Sequence, residues 1–353
     1  MIEIDGSYGE GGGQIVRTAL ALSILTQKPF SVTNIRSGRK KGGLKAQHLT
    51  AIEALQKLCP GAKSEGTSIG SSEIKFWPAP LQERELSIDI GTAGSITLLM
   101  QALWIPCFFA KHPIKLTITG GTNVSWSMPM EYLQNVFLPS VKQFCKEVKV
   151  KIMKRGYYPK GEGVVEIRIK PLYSAEDALE RKLPAIKKET LPKYLMKIEG
   201  VLHASKELEG TAQLESAKAK EILKELNAQV SIREEYSETL SPGKSMTLWA
   251  VFSPEKDDIE PKTVAIIGAD ALGEYAGRDA ASNLIEEIRL QAPVDRHLSD
   301  NLIPFIALSQ GSRIRISELT KHCMTNIYVV EKFLGECITV DGKIIGSRAL
   351  LQS

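Results

Sequence analysis

The sequence has no long hydrophobic run and no cluster of cysteines. Its longest apolar stretch, residues 96–110, contains Thr97 and Gln101 and is too short to cross a bilayer. The first residues, MIEIDGSYGEGGG, lack the basic and apolar regions of a signal peptide. The five cysteines are an odd number without a C-x-x-C pair, which indicates buried thiols rather than disulfides or a zinc site. We therefore expect a cytoplasmic protein with no membrane partner.

Acidic residues are absent from residues 11–52, although the whole chain has a net charge of only +4. The same stretch contains seven cations, Arg17, Lys28, Arg36, Arg39, Lys40, Lys41 and Lys45. The basicity is therefore local, which indicates either a site for phosphates or nucleic acid or a solvated basic face. No aromatic residue lies between Phe30 and Phe76. Because base stacking uses aromatic rings, a terminal phosphate is favoured as the ligand over a long single strand.

Short β-like runs alternate with helical runs along the 353 residues, a length that suits two or three domains. β-branched, alternating runs predict strands at residues 2–4, 30–35, 73–77, 86–90, 114–119, 148–152 and 164–170. A 3.6-residue period predicts helices at residues 14–25, 44–58, 95–110 and 131–145. Pro106 and Pro139 weaken the last two helices. The fold class is therefore α/β or α+β, with helices packed on sheets.

Two stretches are variants of one pattern. EIDGSYGEGGGQIVRTAL and DIGTAGSITLLMQAL each lead from a strand, through an acidic residue and glycines, into a helix. They indicate an internal repeat of roughly 80–90 residues. A charged, proline-containing run at residues 174–193 is typical of a connection, and further strands and helices follow it. We predict a large domain of residues 1–182 and 276–353, with a smaller domain of residues 183–275 inserted into it.

The glycine-rich start, DGSYGEGGGQIVR, precedes the first predicted helix. Glycines let a backbone approach a ligand, and the free N–H groups of a helix start favour an anion. Glu10 lies where a carboxylate can hold a divalent cation beside phosphate oxygens, and Arg17 lies where a guanidinium can pair with phosphate. A tight turn, a helix-dipole role for Glu10 and a surface position for Arg17 explain the same residues without a ligand.

The segment IRSGRKKGGLKAQH places Arg36 and Arg39 three residues apart around a glycine. Guanidinium groups match phosphate geometry better than ammonium groups do. Gln47 and His48 follow at the start of a predicted helix, where they either face the same pocket or lie at the edge of the core.

Most of the five histidines carry little functional signal. His112 and His203 lie in charged, turn-like segments. His297 is followed by Asp300 and Asn301, and the three share one face if the segment is helical. Close, regular spacing of histidines would indicate a metal site, and these histidines lack it.

His322 is the candidate nucleophile. It precedes an apolar run that Thr325 or Asn326 would cap and Gly335 would end. A nucleophilic imidazole attacks through one nitrogen while a partner holds the other. Asp300 is the expected partner of the ring.

Taken together, the chain resembles the RNA 3′-terminal phosphate cyclases over residues 2–340. The resemblance rests on the motifs DGSYGEGGGQIVRTAL, IRSGRKKGGLKAQHL, GTAGSITLLMQ, GGTNVSWSMP, RGYYPKGEG, HLSDN and HCMTNIYVVEKFL. It implies a large domain of three repeated βαβαββ-type units, similar to the C-terminal domain of a translation initiation factor, with a smaller α/β domain inserted.

The resemblance also implies an ATP-dependent conversion of an RNA 3′-terminal phosphate into a 2′,3′-cyclic phosphate. In this mechanism a histidine attacks the α-phosphorus of ATP, AMP passes to the RNA 3′-phosphate, and the 2′-OH displaces AMP. His322 matches this histidine, and Glu10 matches a residue that binds a divalent cation, Mg²⁺ or Mn²⁺. The positions that match phosphate- or RNA-binding residues are Arg17, Arg36, Arg39 and Gln47. Those that match positions around the nucleotide and the histidine are Gln101, Pro129, His297, Asp300 and Asn301.

The implied partners are therefore ATP and RNA with a 3′-terminal phosphate, and no oligomeric state is specified. Many relatives have Gln where this chain has Asn301 and Tyr where it has His297, so the nucleotide pocket is expected to differ in detail. One branch of the family lacks the histidine and acts in ribosome biogenesis, and a non-catalytic RNA-binding factor is the alternative. A small-molecule transferase of the enolpyruvyl type, a distant fold relative, is a third hypothesis. The presence of His322 favours the cyclase.

Overall fold

The computed structural model describes residues 1–256 and 264–348. Within these residues the strands form four sheets of four strands each. Three of the sheets have one strand order, in which the first strand pairs with the second and the fourth lies between the second and the third. The chain thus repeats one βαβαββ pattern three times, with a further sheet inserted in the third repeat, which confirms the predicted fold class.

The first unit contains β1 (Ile2–Asp5), α1 (Gln14–Thr26), β2 (Phe30–Thr33), α2 (Ala46–Leu58), β3 (Lys63–Glu65) and β4 (Ile74–Trp77). β1 and β2 are parallel, and β4 pairs antiparallel with both β2 and β3. The strand β3 was not predicted, because its three residues, Lys-Ser-Glu, have no apolar member.

The second unit contains β5 (Glu85–Asp89), α3 (Ile96–Phe108), β6 (Ile114–Gly120), α4 (Met130–Tyr132), α5 (Leu138–Val141), β7 (Cys145–Lys154) and β8 (Gly163–Pro171). A π-helical segment, Leu133–Phe137, joins α4 to α5, and a 3₁₀ turn, Lys142–Phe144, follows α5. The π-helical segment ends two residues before Pro139, which has no N–H to continue an α-helical ladder. Pro106 lies inside α3, two residues before its end, so it does not interrupt the helix.

The inserted sheet follows α6 (Ala175–Leu179) and β9 (Lys187–Lys188). It comprises β10 (Tyr194–Ser205), α7 (Glu209–Leu223), β11 (Gln229–Ser237), β12 (Lys244–Ser253), β13 (Ala265–Leu272) and α8 (Ala276–Arg289). Its strand order is β11-β10-β12-β13, and apolar side chains of α7 and α8 pack with it in a separate core. The limits 183–275 for an inserted domain stay a prediction.

The third unit resumes with α9 (Arg296–Leu308), β14 (Arg313–Arg315), α10 (Lys321–Leu334), β15 (Ile338–Asp341) and β16 (Ile344–Ser347). β9 pairs in parallel with β14 and so serves as the first strand of this unit. Thr320 caps α10 by accepting a hydrogen bond from the backbone N–H of Cys323, and Gly335 ends the helix. The expected cap at Thr325 or Asn326 was wrong, because both residues lie inside the helix.

Asp295 ties the inserted sheet to the third unit. Its Oδ1 caps α9 by accepting from the backbone N–H groups of His297 and Leu298, and it also accepts from the hydroxyl of Tyr132 at 2.5 Å. Its Oδ2 accepts from the N–H of Gly268 in β13 at 3.0 Å. One buried carboxylate therefore joins α9, α4 and the inserted sheet.

The helices of the three units meet in one large core. α1 is buried along nearly its whole length and packs against α2, α3 and α10. All five cysteines are buried thiols, as predicted. In the part of the chain that the structure describes, no helix is both long and apolar enough to span a bilayer.

His203 lies inside β10 and is buried, so its predicted turn-like setting was wrong. The hydroxyl of Tyr157 lies 2.5 Å from Nδ1 of His203, and the hydroxyl of Ser237 lies 2.8 Å from its Nε2. Burial, assisted by the positive charge of Arg155, lowers the pKa of His203 to about 3.

This lowered pKa predicts a contribution to acid unfolding. The unfolded chain takes up a proton at His203 below about pH 6.5, whereas the folded chain resists protonation down to about pH 3, so stability falls as pH decreases across this window. The free energy of unfolding of the wild type should exceed that of a His203→Gln variant by less and less as pH falls. We expect the difference to decrease by at least about 1 kcal/mol over this window, since one pKa unit corresponds to about 1.4 kcal/mol. Urea unfolding at several pH values measures it. An advantage that is constant with pH would contradict a neutral buried imidazole.

Candidate active site

The glycine-rich loop between β1 and α1 passes next to the N-terminal end of α10. Gly9 and Gly11 have positive φ values of 62° and 57°, in the left-handed region that favours glycine. A Cβ atom on Gly9 would also overlap the hydroxyl of Thr325 in α10. This close approach brings Glu10, the acidic residue of the loop, to His322.

His322 lies in the first turn of α10, and its side chain is 46 % exposed. Its Nδ1 is hydrogen-bonded to Oε1 of Gln14. Nδ1 also lies 2.6 Å from Oε2 of Glu10, but without hydrogen-bond geometry, so that oxygen has no hydrogen-bond partner in residues 1–256 and 264–348. A neutral ring that donates from Nδ1 to Gln14 presents the lone pair of Nε2 to solvent.

The expected partner of His322, Asp300, was therefore wrong. The carboxylate of Asp300 accepts a hydrogen bond from the hydroxyl of Thr320 instead, and its backbone C=O accepts from Nδ2 of Asn326 at 2.6 Å. Asp300 thus holds α9 to α10. Burial raises its pKa to about 6 against the opposing hydrogen bond from Thr320. No local feature of the sequence indicated that Gln14, which lies 308 positions away along the chain, is the partner of His322.

The surroundings of His322 favour its neutral form. Burial lowers the pKa of His322, and the nearby charges of Arg17 and Arg39 lower it further, while Asp300 opposes them. The position at a helix N-terminus acts in the same direction, because the helix dipole disfavours a cation there. The imidazole is therefore available as a nucleophile at neutral pH.

Four of the predicted residues form one hydrogen-bonded chain across three helices. Nε of Arg17 donates to Oε1 of Gln101 at 2.9 Å, and Nε2 of Gln101 donates to Oδ1 of Asn301 at 3.0 Å. Nδ2 of Asn301 then donates to the backbone C=O of His297 at 2.8 Å. α9 is helical here, as the shared face of His297, Asp300 and Asn301 required.

Arg17 is buried, and burial next to Arg36 lowers its pKa to about 10. A guanidinium with that pKa stays charged at neutral pH, and no acidic side chain forms a salt bridge with it among residues 1–256 and 264–348. Nη1 of Arg17 faces Gly13 of the glycine-rich loop. A buried, uncompensated cation of this kind is suited to an anionic ligand.

The basic loop folds back on itself. Arg36 has a φ of 53°, and its Nη1 donates to the backbone C=O groups of Lys41 at 2.8 Å and Gly43 at 3.1 Å. Arg39 is half exposed and forms an ion pair with Oε1 of Glu10. Arg36 thus fixes the loop, while Arg39 reaches the glycine-rich loop and His322.

His48 is a site residue whose role the sequence left open. Its Nδ1 accepts a hydrogen bond from the backbone N–H of Lys45 at 2.9 Å, so a neutral ring carries its proton on Nε2. Nε2 is buried, lies against Gly13 and has no hydrogen-bond partner in the described chain. Burial and the charges of Arg17, Arg36 and Lys45 lower the pKa of His48 to about 3. The ring is therefore a neutral N–H donor next to Arg17.

The remaining predicted residues lie around this centre. Gln47 is in the first turn of α2, and its Cβ would be 3.6 Å from a Cβ on Gly94. Pro129 is buried and precedes α4, whose Tyr132 packs edge-on against His297 with ring centroids 6.3 Å apart. Their contacts with RNA or nucleotide stay a prediction.

Glu10 is suited to a cation that arrives with phosphate. Its Oε2 is a buried carboxylate oxygen that accepts no hydrogen bond within the part of the chain that the structure describes. Within the described ranges no group of three His, Cys, Asp or Glu side chains could hold a metal by itself. Mg²⁺ is commonly held by one or two carboxylates together with substrate phosphates, and a single free carboxylate oxygen fits that arrangement.

A profile of the family described as RNA 3′-terminal phosphate cyclase matches residues 8–340. The chain belongs to this family. It is similar to an RNA 3′-terminal phosphate cyclase of Pyrococcus furiosus, with 41% identity over 98% of this chain and 96% of the relative. A cyclase of Methanosarcina mazei is 41% identical over 95% of each chain. One of Archaeoglobus fulgidus is 38% identical over 98% of this chain and 99% of the relative.

Proposed function

We propose that this chain is an RNA 3′-terminal phosphate cyclase, which uses ATP to convert an RNA 3′-phosphate into a 2′,3′-cyclic phosphate. The observation that carries the proposal is the arrangement at His322. Its Nδ1 is held by Gln14, its Nε2 has no hydrogen-bond partner among the described residues, and burial lowers its pKa. Membership of the cyclase family supports the same reaction.

In the first step, Nε2 of His322 attacks the α-phosphorus of ATP and pyrophosphate leaves, which gives a histidine-AMP intermediate. Gln14 accepts a hydrogen bond from Nδ1–H and so stabilises the positive charge that develops on the ring. The backbone N–H groups at the start of α10 and the guanidinium of Arg39 favour the negative charge of the phosphates.

In the second step, an oxygen of the RNA 3′-phosphate attacks the phosphorus of AMP, and the P–N bond to His322 breaks. In the third step, the vicinal 2′-OH attacks the activated 3′-phosphorus and AMP leaves. Arg17 and His48 are the residues that we assign to the terminal phosphate, because both present donors next to Gly13 and neither has an acidic partner in the described residues. Phosphoryl transfer depends mainly on such positioning and charge neutralisation.

Residues around His297 are assigned to the nucleotide. Asn301 and Gln101 connect this region to Arg17 by hydrogen bonds, so nucleotide and phosphate sites share one rigid network. Glu10 is assigned to a divalent cation, Mg²⁺ or Mn²⁺, which supplies charge neutralisation to the phosphates when bound.

The test is to incubate the purified protein and a divalent cation with ATP labelled at either the α- or the γ-phosphate. We expect acid-labile, alkali-stable label on the protein from the α position only, because a phosphoramidate retains AMP and loses pyrophosphate. A chelator should abolish the label, and undiminished labelling without the cation would contradict the role of Glu10.

Absence of label from both positions would contradict the proposed chemistry. If such a protein still bound 3′-phosphorylated RNA, the non-catalytic RNA-binding alternative would replace the cyclase.

A further inference from the structure

Three loops of the second unit meet, and one of them lies beside Gln47. These are residues 91–94, which precede α3, residues 121–128, which follow β6, and residues 155–162, which join β7 to β8. The backbone N–H of Gly121 donates to the C=O of Gly94, and that of Thr122 donates to the C=O of Gly156, both at 2.9 Å. The surface of these loops is therefore continuous with the site of the first unit through Gln47 and Gly94.

The repeat gives one of these loops a special position. Residues 121–128 join the second strand of the second unit to its second helical segment, as residues 34–45 do in the first unit. In the first unit this loop contains Arg36 and Arg39, whereas in the second unit it contains Trp126 and no charged residue. The same position thus carries cations in one repeat and an aromatic ring in the next.

The fold does not explain Trp126. Its side chain is 98 % exposed, and its backbone has a φ of 66°, a left-handed conformation that a bulky residue rarely adopts. A ring in this position contributes almost nothing to packing, and Gly or Asn would suit the backbone better. Such an arrangement is typical of a residue that contacts a ligand.

A second exposed ring lies in the adjoining loop. Tyr158 is 76 % exposed, and Lys160, also exposed, follows two residues later. Two contacts with the inserted sheet and its loops hold residues 155–162 in place. The hydroxyl of Tyr157 lies 2.5 Å from Nδ1 of His203, and the N–H of Lys160 donates to Oγ of Ser241 at 3.1 Å. A cation next to exposed aromatic rings is a pattern suited to single-stranded nucleic acid.

We propose that Trp126 and Tyr158 form a stacking platform for the bases directly 5′ of the terminal phosphate of a single-stranded RNA. The inference rests on the proposed function for the identity of the ligand. The terminal phosphate lies near Arg17 and His48, the chain leaves past Gln47 and Gly94, and Lys160 contacts the backbone phosphates. Stacking tolerates any base, so the platform selects unpaired 3′ ends rather than a particular sequence.

The test is the equilibrium affinity for a fluorescein-labelled RNA hexamer with a 3′-phosphate, measured without ATP at one fixed salt concentration. We expect Trp126→Ala and Tyr158→Ala each to raise Kd by about tenfold, the size of a lost base–aromatic stack. Trp126→Phe should retain most of the affinity, because a phenyl ring still stacks. Leu214→Ala, which truncates another exposed apolar side chain on α7, should leave Kd unchanged.

A second RNA, with abasic sites at the first and second positions from the 3′ end, separates stacking from a general structural effect. With this RNA the wild type and Trp126→Ala should bind equally. An unchanged Kd in both alanine variants would overturn the platform. So would an increase in Kd for Trp126→Ala that is as large with the abasic RNA as with the intact RNA. RNA binding is measured without ATP and is therefore independent of the labelling experiment. If the protein binds RNA through these rings but is not labelled by ATP, the proposed function is refuted and the stacking platform is retained.

Discussion

A His322→Ala variant is expected to lose cyclisation by more than about 10³-fold in kcat and to accept no label from α-labelled ATP, because it lacks the attacking nitrogen. The fold should persist, since the ring is half exposed and its removal leaves no cavity in the core. Cyclisation is measured with a 3′-phosphorylated oligonucleotide, and folding by circular dichroism and urea unfolding.

His112→Ala is the matched control, because His112 is half-buried and lies in the turn before β6, away from α10. It should retain wild-type activity and labelling. Cyclisation by His322→Ala at a rate near that of the wild type would exclude the histidine-AMP route.

An Arg17→Lys variant is expected to lose about 10²-fold or more in kcat/KM, although it keeps the positive charge. Lysine has no planar fork, so it cannot donate to Oε1 of Gln101 and also present a second donor next to Gly13. The acceptor of Gln101 would lose its partner, and the hydrogen bonds to Asn301 and His297 would be loosened. Steady-state kinetics with the RNA oligonucleotide measures the loss.

Arg168→Lys provides the control for the same chemical change, because Arg168 is exposed in β8 and forms an ion pair with Glu166 on the same strand. It should behave as the wild type. If Arg17→Lys retained full kcat/KM, the positive charge at residue 17 would be sufficient for activity. The hydrogen bonds from Arg17 through Gln101 to Asn301 would then have no part in positioning the substrate.

The sequence predicted the elements that have a clear pattern of apolar residues. The helix α1 begins at Gln14, as its period indicated, and β6 begins at Ile114. By contrast β3, with the residues Lys-Ser-Glu, and β9, with two lysines, are strands only because a neighbouring strand supplies their hydrogen bonds. Such strands have no apolar pattern, so local sequence cannot indicate them.

The same limit applies to the site. His322, Glu10 and the arginines were candidates because their chemistry is visible in the residue type. The partner of His322 was not predictable, since Gln14 is an ordinary residue at a helix start and the contact closes a very long loop in sequence. The donor role of His48 likewise follows only from burial against Gly13, which depends on how α2 packs.

The shared carboxylate of Asp295 has a consequence for engineering. The inserted sheet has its own core, and a deletion that closes the chain between β9 and α9 looks feasible on topology alone. However, Asp295, the N-cap of α9, also accepts a hydrogen bond from the N–H of Gly268 in the insert. The helix α9 contains His297 and Asn301. Excision would remove the hydrogen bond from Gly268 and leave that carboxylate partly unsatisfied at the start of α9. The insert therefore stabilises the start of α9, and we expect its deletion to disturb that helix.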